Sequence, residues 1–194
     1  MNGIYLINHT EAYNPSELIY GHAELPLVEH FTADFDWIKE QLPSDKKIVC
    51  YSSGTRRCQK LASSLFEEFE LLPLVEDINF GSWELKSWNE IAASSKTKWR
   101  NDKMNFKAKG AESLTDLIER ASECLKNLKN ADLLSERAIV SGPYFLKALV
   151  VVAMAWPPET ILNLNLNPAS ISRLIYNQKD DTFFLDVWNR TRTF

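Results

Sequence analysis

The chain has 194 residues, a net charge of −4 and a hydrophobic fraction of 45%, the profile of one globular domain over residues 1–194 with length enough for a core. Its lysines and arginines are scattered rather than gathered into a stripe, which weighs against nucleic acid as a partner. The most apolar run, Ala148 to Trp156, is too short to span a bilayer, so no membrane partner is expected.

Cys50, Cys58 and Cys124 show no CxxC or CxxxC spacing. They read as reduced thiols of a cytoplasmic protein, not as disulfides or a zinc site, and neither a metal nor a cofactor is expected. The first apolar run begins almost at Met1 without a basic lead, so no signal peptide is expected either. The sequence carries no signal for an oligomeric state.

Ile4 to Ile7 is a short apolar run cut off by Asn8-His9-Thr10-Glu11, a buried strand ending in polar residues. A polar loop, Glu11 to Glu24, holds Asn14, Gly21 and His22. A helix follows from about Val28 to Leu42, with Phe31, Phe35, Ile38 and Leu42 on one face and His30 on its surface; Pro43-Ser44-Asp45 ends it. Ile48 to Tyr51 is the second strand and Ser52-Ser53-Gly54-Thr55 its turn. The helix from Arg56 buries Cys58, Leu61, Ala62, Leu65, Phe66 and Phe69, and Leu71 to Val75 reads as a third strand. Strand, helix, strand, helix, strand is the pattern of a parallel sheet.

Glu76 to Gly110 is less regular, with a structured loop around Asp77, Phe80, Gly81 and Trp83, a short helix at Trp88 to Ile91, and a basic, exposed excursion from Lys96 to Lys109. The six tryptophans read as core and rim. A long helix from Ser113 to Lys129 turns Leu114, Leu117, Ile118, Ala121, Leu125 and Leu128 inward. Ala138 to Ser141 is a fourth strand, and Gly142-Pro143 opens a helix running to Ala155. Ile171 to Tyr176 and Phe183 to Trp188 form a hairpin that completes the sheet. The expectation is a three-layer α/β/α sandwich around a mostly parallel sheet with an antiparallel edge strand.

In such sheets ligands sit beyond the carboxyl ends of the strands. Three ends carry turn residues: Asn8-His9-Thr10, Ser52 to Arg57, and Ser141-Gly142-Pro143. As parallel neighbours they would meet on one rim, where a histidine, an arginine and a helix N-terminus suit a phosphate group.

These motifs resemble the histidine phosphatase superfamily, which includes the cofactor-dependent phosphoglycerate mutases; among its branches the chain looks nearest to the α-ribazole-5′-phosphate phosphatases. The resemblance spans nearly the whole chain. Asn8-His9-Thr10, then Gly21-His22 and Pro26-Leu27, correspond to the family's opening Arg-His-Gly and following Gly-His/Pro-Leu stretch. Ser52-Ser53-Gly54-Thr55-Arg56-Arg57 corresponds to Ser-Ser-Pro-Leu-x-Arg. Asp77 ahead of Phe80-Gly81-Ser82-Trp83-Glu84 matches an acid before Phe-Gly-x-Trp-Glu. Gly110-Ala111-Glu112-Ser113 matches Gly-Glu-Ser, and Val140-Ser141-Gly142-Pro143-Tyr144 matches Val-Ser-His-Gly-Gly.

The resemblance implies a phosphomonoesterase acting on a small phosphorylated metabolite through a phosphohistidine. His9 would be the nucleophile, Arg57 a phosphate clamp with Arg56 as an alternative, and Asp77 the proton donor with Glu76 and Glu84 as alternatives. Asn8, Asn14, His22 and Gly142 would line the substrate site. The departures fall on the chemistry. Asn8 replaces one arginine and Gly142 replaces the second histidine. Asp77 is one methylene shorter than glutamate, Thr10 adds a side chain where the family has glycine, and Pro143 removes an N–H at a helix start. The sequence therefore implies activity that is weak or lost, with a non-catalytic phosphate-binding or regulatory role as the alternative.

Overall fold

The computed structural model describes residues 2–29, 32–130 and 135–192. A six-stranded sheet in the order β3-β2-β4-β1-β5-β6 divides the chain into three layers. Strand β1 (Asn2–Asn8) pairs in parallel with β4 (Glu136–Ser141), and β4 in turn with β2 (Ile48–Ser52). Strand β3 is only Glu70–Leu71, and β5 (Ile171–Asn177) runs antiparallel to β1 and to β6 (Thr182–Arg190), the closing hairpin.

The central strands are apolar on both faces because both are covered. Ile4 and Leu6 of β1 and Ile139 of β4 pack with α4 (Leu114–Asn130) and α5 (Pro143–Ala153). Tyr5 and Ile7, with Ala138 and Val140, pack with α1 (Thr32–Glu40) and α2 (Arg56–Leu65). Alternate residues of one strand thus serve two cores, as the period of two requires.

The differences from the sequence expectation have local causes. The third strand stops at Leu71, and Pro73–Val75 forms a single 3-10 turn instead; proline has no N–H to give to a ladder. Helix α1 starts four residues later than expected, at Thr32, and buries Phe35 and Ile38, while Phe31 and His30 lie outside the described residues. Trp88–Glu90 is a 3-10 turn closed by a Ser87–Glu90 capping box. The basic excursion contains a further helix, α3 (Ala93–Asn101), whose apolar residues are too few to make a sequence stripe. Helix α5 ends at Ala153, two residues short of the expected end.

All three cysteines are buried and unbridged. Among the described residues no helix is long and apolar enough to cross a membrane and no cluster of potential metal ligands forms.

Candidate functional site

Because β2, β4 and β1 are adjacent and parallel, their carboxyl ends reach one rim, with Asn8 opposite Ser141 and Ser52 opposite Val140. The backbone extends this pairing past the strands. His9 N–H donates to the Ser141 carbonyl at 3.2 Å, Ser53 N–H to the Val140 carbonyl at 3.0 Å, and the His9 carbonyl accepts from Ala169 N–H at 3.0 Å. His9 is therefore held from both flanks before its side chain makes any contact.

The His9 imidazole is buried, and its Nδ1 lies 2.8 Å from the Thr10 carbonyl. A carbonyl only accepts, so Nδ1 carries the proton and Nε2 keeps the lone pair. Nε2 has no hydrogen-bond partner. Burial, followed by the positive charge of Arg57, pushes the imidazole pKa down to about 3, against the opposing Thr10 bond. The ring is thus a neutral imidazole with a fixed tautomer and an available nucleophilic nitrogen.

Arg57, in the first turn of α2, is also buried. Its Nη1 donates to the Ala23 carbonyl at 2.8 Å and its Nη2 to the Gly21 carbonyl. Its guanidinium carbon sits 5.1 Å from the centre of the Tyr20 ring, and that ring lies 6.3 Å from the imidazole of His9. Two arms of the fork are committed to the Gly21–Ala23 loop, and only Nε is left without a partner.

The same loop is gripped from its other side by Glu84. Its carboxylate accepts from the N–H groups of Gly21, His22, Ala23 and Phe80 at 3.0–3.1 Å. Glu84 is thereby used as a loop anchor, away from the acid role left open for it. Gly21 is required by close approach: a Cβ there would lie 1.8 Å from the Ile78 carbonyl oxygen.

Asp77 is buried and does not form an ion pair with Arg57. Its Oδ1 accepts from Phe145 N–H at 2.9 Å, in the first turn of α5. A Cβ added to Gly142 would fall 2.1 Å from Asp77 Oδ2. The carboxylate therefore occupies the space that any side chain at position 142 would need. Burial raises the Asp77 pKa, opposed in turn by bonds from the Phe145 and Ile78 N–H groups and by the charges of Arg57 and Lys147.

Glu76 stands beside it. Its Oε1 accepts from Gly54 N–H at 3.3 Å and its Oε2 lies 3.6 Å from His22 Nε2, which is also 2.8 Å from the Asp77 carbonyl. Glu24 Oε1 accepts from Arg56 N–H at 2.8 Å. The helices that start on this rim, α2 and α5, consequently have N–H groups facing the chain's own carboxylates, where the dipole favours negative charge.

Asn8 is buried, with Nδ2 donating to the Asn167 carbonyl at 2.8 Å and Oδ1 unpartnered. Asn14 spends both ends of its amide on Leu18, at 2.8 and 2.9 Å, closing a turn in the loop. The structure thus brings His9, Arg57, Asp77, Asn8, His22 and Gly142 to one rim, with Asn14 closing a turn of the adjoining loop. Tyr20, Glu24 and Ser170 escaped the sequence reading. Tyr20 and Glu24 flank the Gly21-His22 pair, a signal that was present; Ser170 is brought in only by the β1–β5 pairing.

Six buried polar side-chain atoms lack a partner among the described residues, and five belong here: Asn8 Oδ1, His9 Nε2, Thr10 Oγ1, Arg57 Nε and Ser170 Oγ. Native interiors rarely leave such groups unsatisfied, so their grouping marks a buried polar cluster with hydrogen-bonding capacity to spare. Beyond Tyr20 lies a cavity of about 320 Å³ with aromatic walls.

The profile of the histidine phosphatase superfamily (branch 1) matches residues 4–191. The chain belongs to this family. Among solved structures, an α-ribazole phosphatase from Shigella flexneri is 21% identical over 97% of this chain and 96% of its own, with a TM-score of 0.88. A phosphoserine phosphatase mutant from Entamoeba histolytica in complex with phosphoserine is 20% identical over 99% and 98%, at 0.85. A mycobacterial glucosyl-3-phosphoglycerate phosphatase is 20% identical over 98% and 100%, at 0.82. At these identities the likeness is one of fold. No curated protein sequence matches the chain.

Two predictions follow from the packing and the charges. Gly142→Ala should cost roughly 1–3 kcal/mol of stability, because Asp77 must yield its place and its bond to Phe145. In an Asp77→Gly background, which also removes the Cβ that would lie 2.7 Å away, the same change should cost much less, so a double-mutant cycle by urea unfolding should show a coupling of about 1 kcal/mol or more. For His9 the folded pKa lies below the unfolded value, so the unfolded state binds more protons between pH 6.5 and about 3. Stability is then complete above pH 6.5 and falls on acidification through that window. At pH 4.5 the wild type should have lost roughly 2–3 kcal/mol more than His9→Gln, relative to pH 7.5. Asp77, with its raised pKa, contributes the opposite slope in both proteins and cancels in the comparison.

Proposed function

We propose that this chain, as one histidine-phosphatase-like domain, has kept the family's nucleophile but lost most or all phosphomonoesterase turnover. The observation that carries the reading is the seat beside Gly142, filled by the Asp77 carboxylate. In the family pattern a histidine belongs at that position and helps to hold the phosphoryl oxygens; here a carboxyl group, which supplies no positive charge, stands in its place. Two further observations support it. Arg57 gives two arms of its fork to loop carbonyls, and Asn8 supplies no charge where the family carries arginine.

Transition-state stabilisation in phosphoryl transfer is chiefly electrostatic. A hydrogen bond to a charged group contributes roughly 1.5–3 kcal/mol. Two lost contacts would cost about 3–6 kcal/mol if additive, on the order of 10²–10⁴ in rate. The protein would then act as a binding or regulatory partner in the cytoplasm, a placement in keeping with its unbridged, buried cysteines.

A second reading rests on His9 itself. Its free, oriented Nε2 and the unpartnered Asn8, Thr10 and Arg57 atoms around it favour a slow phosphatase of small phosphate esters. His9 would attack phosphorus in line, the ester oxygen would leave with the proton of Asp77, and water would hydrolyse the phosphohistidine. The esters named for the structural neighbours, α-ribazole phosphate, phosphoserine and glucosyl-3-phosphoglycerate, are the substrates to try first.

The test is phosphate release over that panel beside a His9→Ala control. The proposal expects no turnover, or a trace equal in both proteins. Slow release confined to the wild type would favour the second reading. His9-dependent turnover at an ordinary enzymatic rate, about 1–10³ per second, would overturn the proposal.

A further inference from the structure

The aromatic cavity beyond Tyr20 is used by neither reading. Its volume is about 320 Å³, within the range of small-molecule sites. Its walls are formed chiefly by Trp83, Trp88, Trp99, Phe106 and Tyr144, and Tyr20, whose ring lies 6.3 Å from that of His9, also lines it. The cavity is half open to solvent and has room for several waters. Most of those waters would face rings and aliphatic carbons, and a ligand that displaced them would gain.

The charges on its lining select the class of ligand. Glu112 is neutralised, its carboxylate held by Arg120 through two bonds of 2.8 and 2.9 Å. Lys103 lies over the Trp99 ring at 5.2 Å and has no ion-pair partner among the described residues. The outward approach to Trp88 is likewise taken by the chain's own cations, with Lys96 at 5.4 Å and Arg100 at 6.0 Å from the ring centre. The rings therefore do not form a cage for a cationic ligand. Unpaired positive charge therefore gathers at the aromatic cavity, with Lys103 the cation on its lining.

We infer that this cavity binds a small molecule with a flat apolar body and a single anionic group, the body between the tryptophans and the anion at Lys103. The inference does not depend on turnover at His9, and its readout is binding alone.

The experiment is a fluorescence titration with 1-anilinonaphthalene-8-sulfonate, an aromatic monoanion, beside its uncharged relative N-phenyl-1-naphthylamine. Near-UV circular dichroism confirms that each protein keeps its packing, because the sulfonate also reports loosened states. The wild type should bind both probes saturably at one site, the anion more tightly. Lys103→Met, which keeps an apolar stem, should weaken the anion roughly three- to fivefold, as for an exposed ion pair, and leave the neutral probe unchanged. Ala108→Trp, inside the cavity, should abolish binding of both; Leu162→Trp, at its exposed rim, should do the same should the first variant fail to fold. Absence of saturable binding, or binding indifferent to the tryptophan variants, would overturn the site. An anion affinity indifferent to Lys103→Met would overturn the ligand class.

Discussion

A buried guanidinium sets the terms for this rim. Arginine stays charged in protein interiors, and an ion taken out of water costs several kcal/mol unless hydrogen bonds replace its hydration. Arg57 finds those bonds in the Gly21 and Ala23 carbonyls and lies over the Tyr20 ring. The loop can supply carbonyls on that side because Glu84 collects its N–H groups on the other. One backbone segment is thus clamped between a cation and an anion, each satisfying the opposite half of the peptide group. Its position in turn fixes Tyr20, whose ring lies 6.3 Å from that of His9 and forms one wall of the aromatic cavity.

The same arithmetic governs the helix starts. Helices α2 and α5 point free N–H groups and the positive ends of their dipoles at the rim. An external phosphate could satisfy them, but Glu24 and Asp77 do so permanently. Each carboxyl group contributes to folding where it sits, and neither supplies the positive charge that an incoming dianion would need. Gly142 makes the second of these possible, since only a residue without Cβ leaves room for Asp77. The absence of a side chain at position 142 and the placement of Asp77 are therefore one packing arrangement. A histidine at position 142 would collide with the Asp77 side chain.

Much of the architecture could be read from the chain because its signals are local. Apolar β1 and β4 with turn residues at their ends, the stripes of α2 and α4, and the Gly-Pro start of α5 each name their element. Pro73 misled by ending an apolar run that looked like strand, and α3 has too few apolar residues to announce a period. At the site, residue types at motif positions singled out His9, Arg57 and Asp77 as candidates, but not what they touch. The commitment of Arg57 to the loop, and of Asp77 to the seat at Gly142, depend on side-chain direction across elements far apart in sequence. The excursion read as a solvated face because lysines dominate it, yet Trp99 and Phe106 turn back to line the cavity.

His9 shows why a retained motif residue is a weak witness to chemistry. Its backbone is part of the hydrogen-bonding that joins β1 to β4 and to the turn before β5. Its ring proton is tied to the Thr10 carbonyl, a bond worth about 1 kcal/mol to the fold whether or not phosphorus ever arrives. Burial keeps it neutral across the physiological range, which suits a nucleophile and equally suits a core side chain. What separates the two is the company of Nε2. A nucleophile that attacks a phosphate ester needs cations aimed at the equatorial oxygens. Here the neighbouring guanidinium of Arg57 gives an N–H of each terminal nitrogen to loop carbonyls, and the space beside Gly142 is filled by the Asp77 carboxyl group. His9 keeps an oriented, unpartnered Nε2, while Arg57, Glu84, Glu24 and Asp77 are engaged in holding the loop and the helix starts.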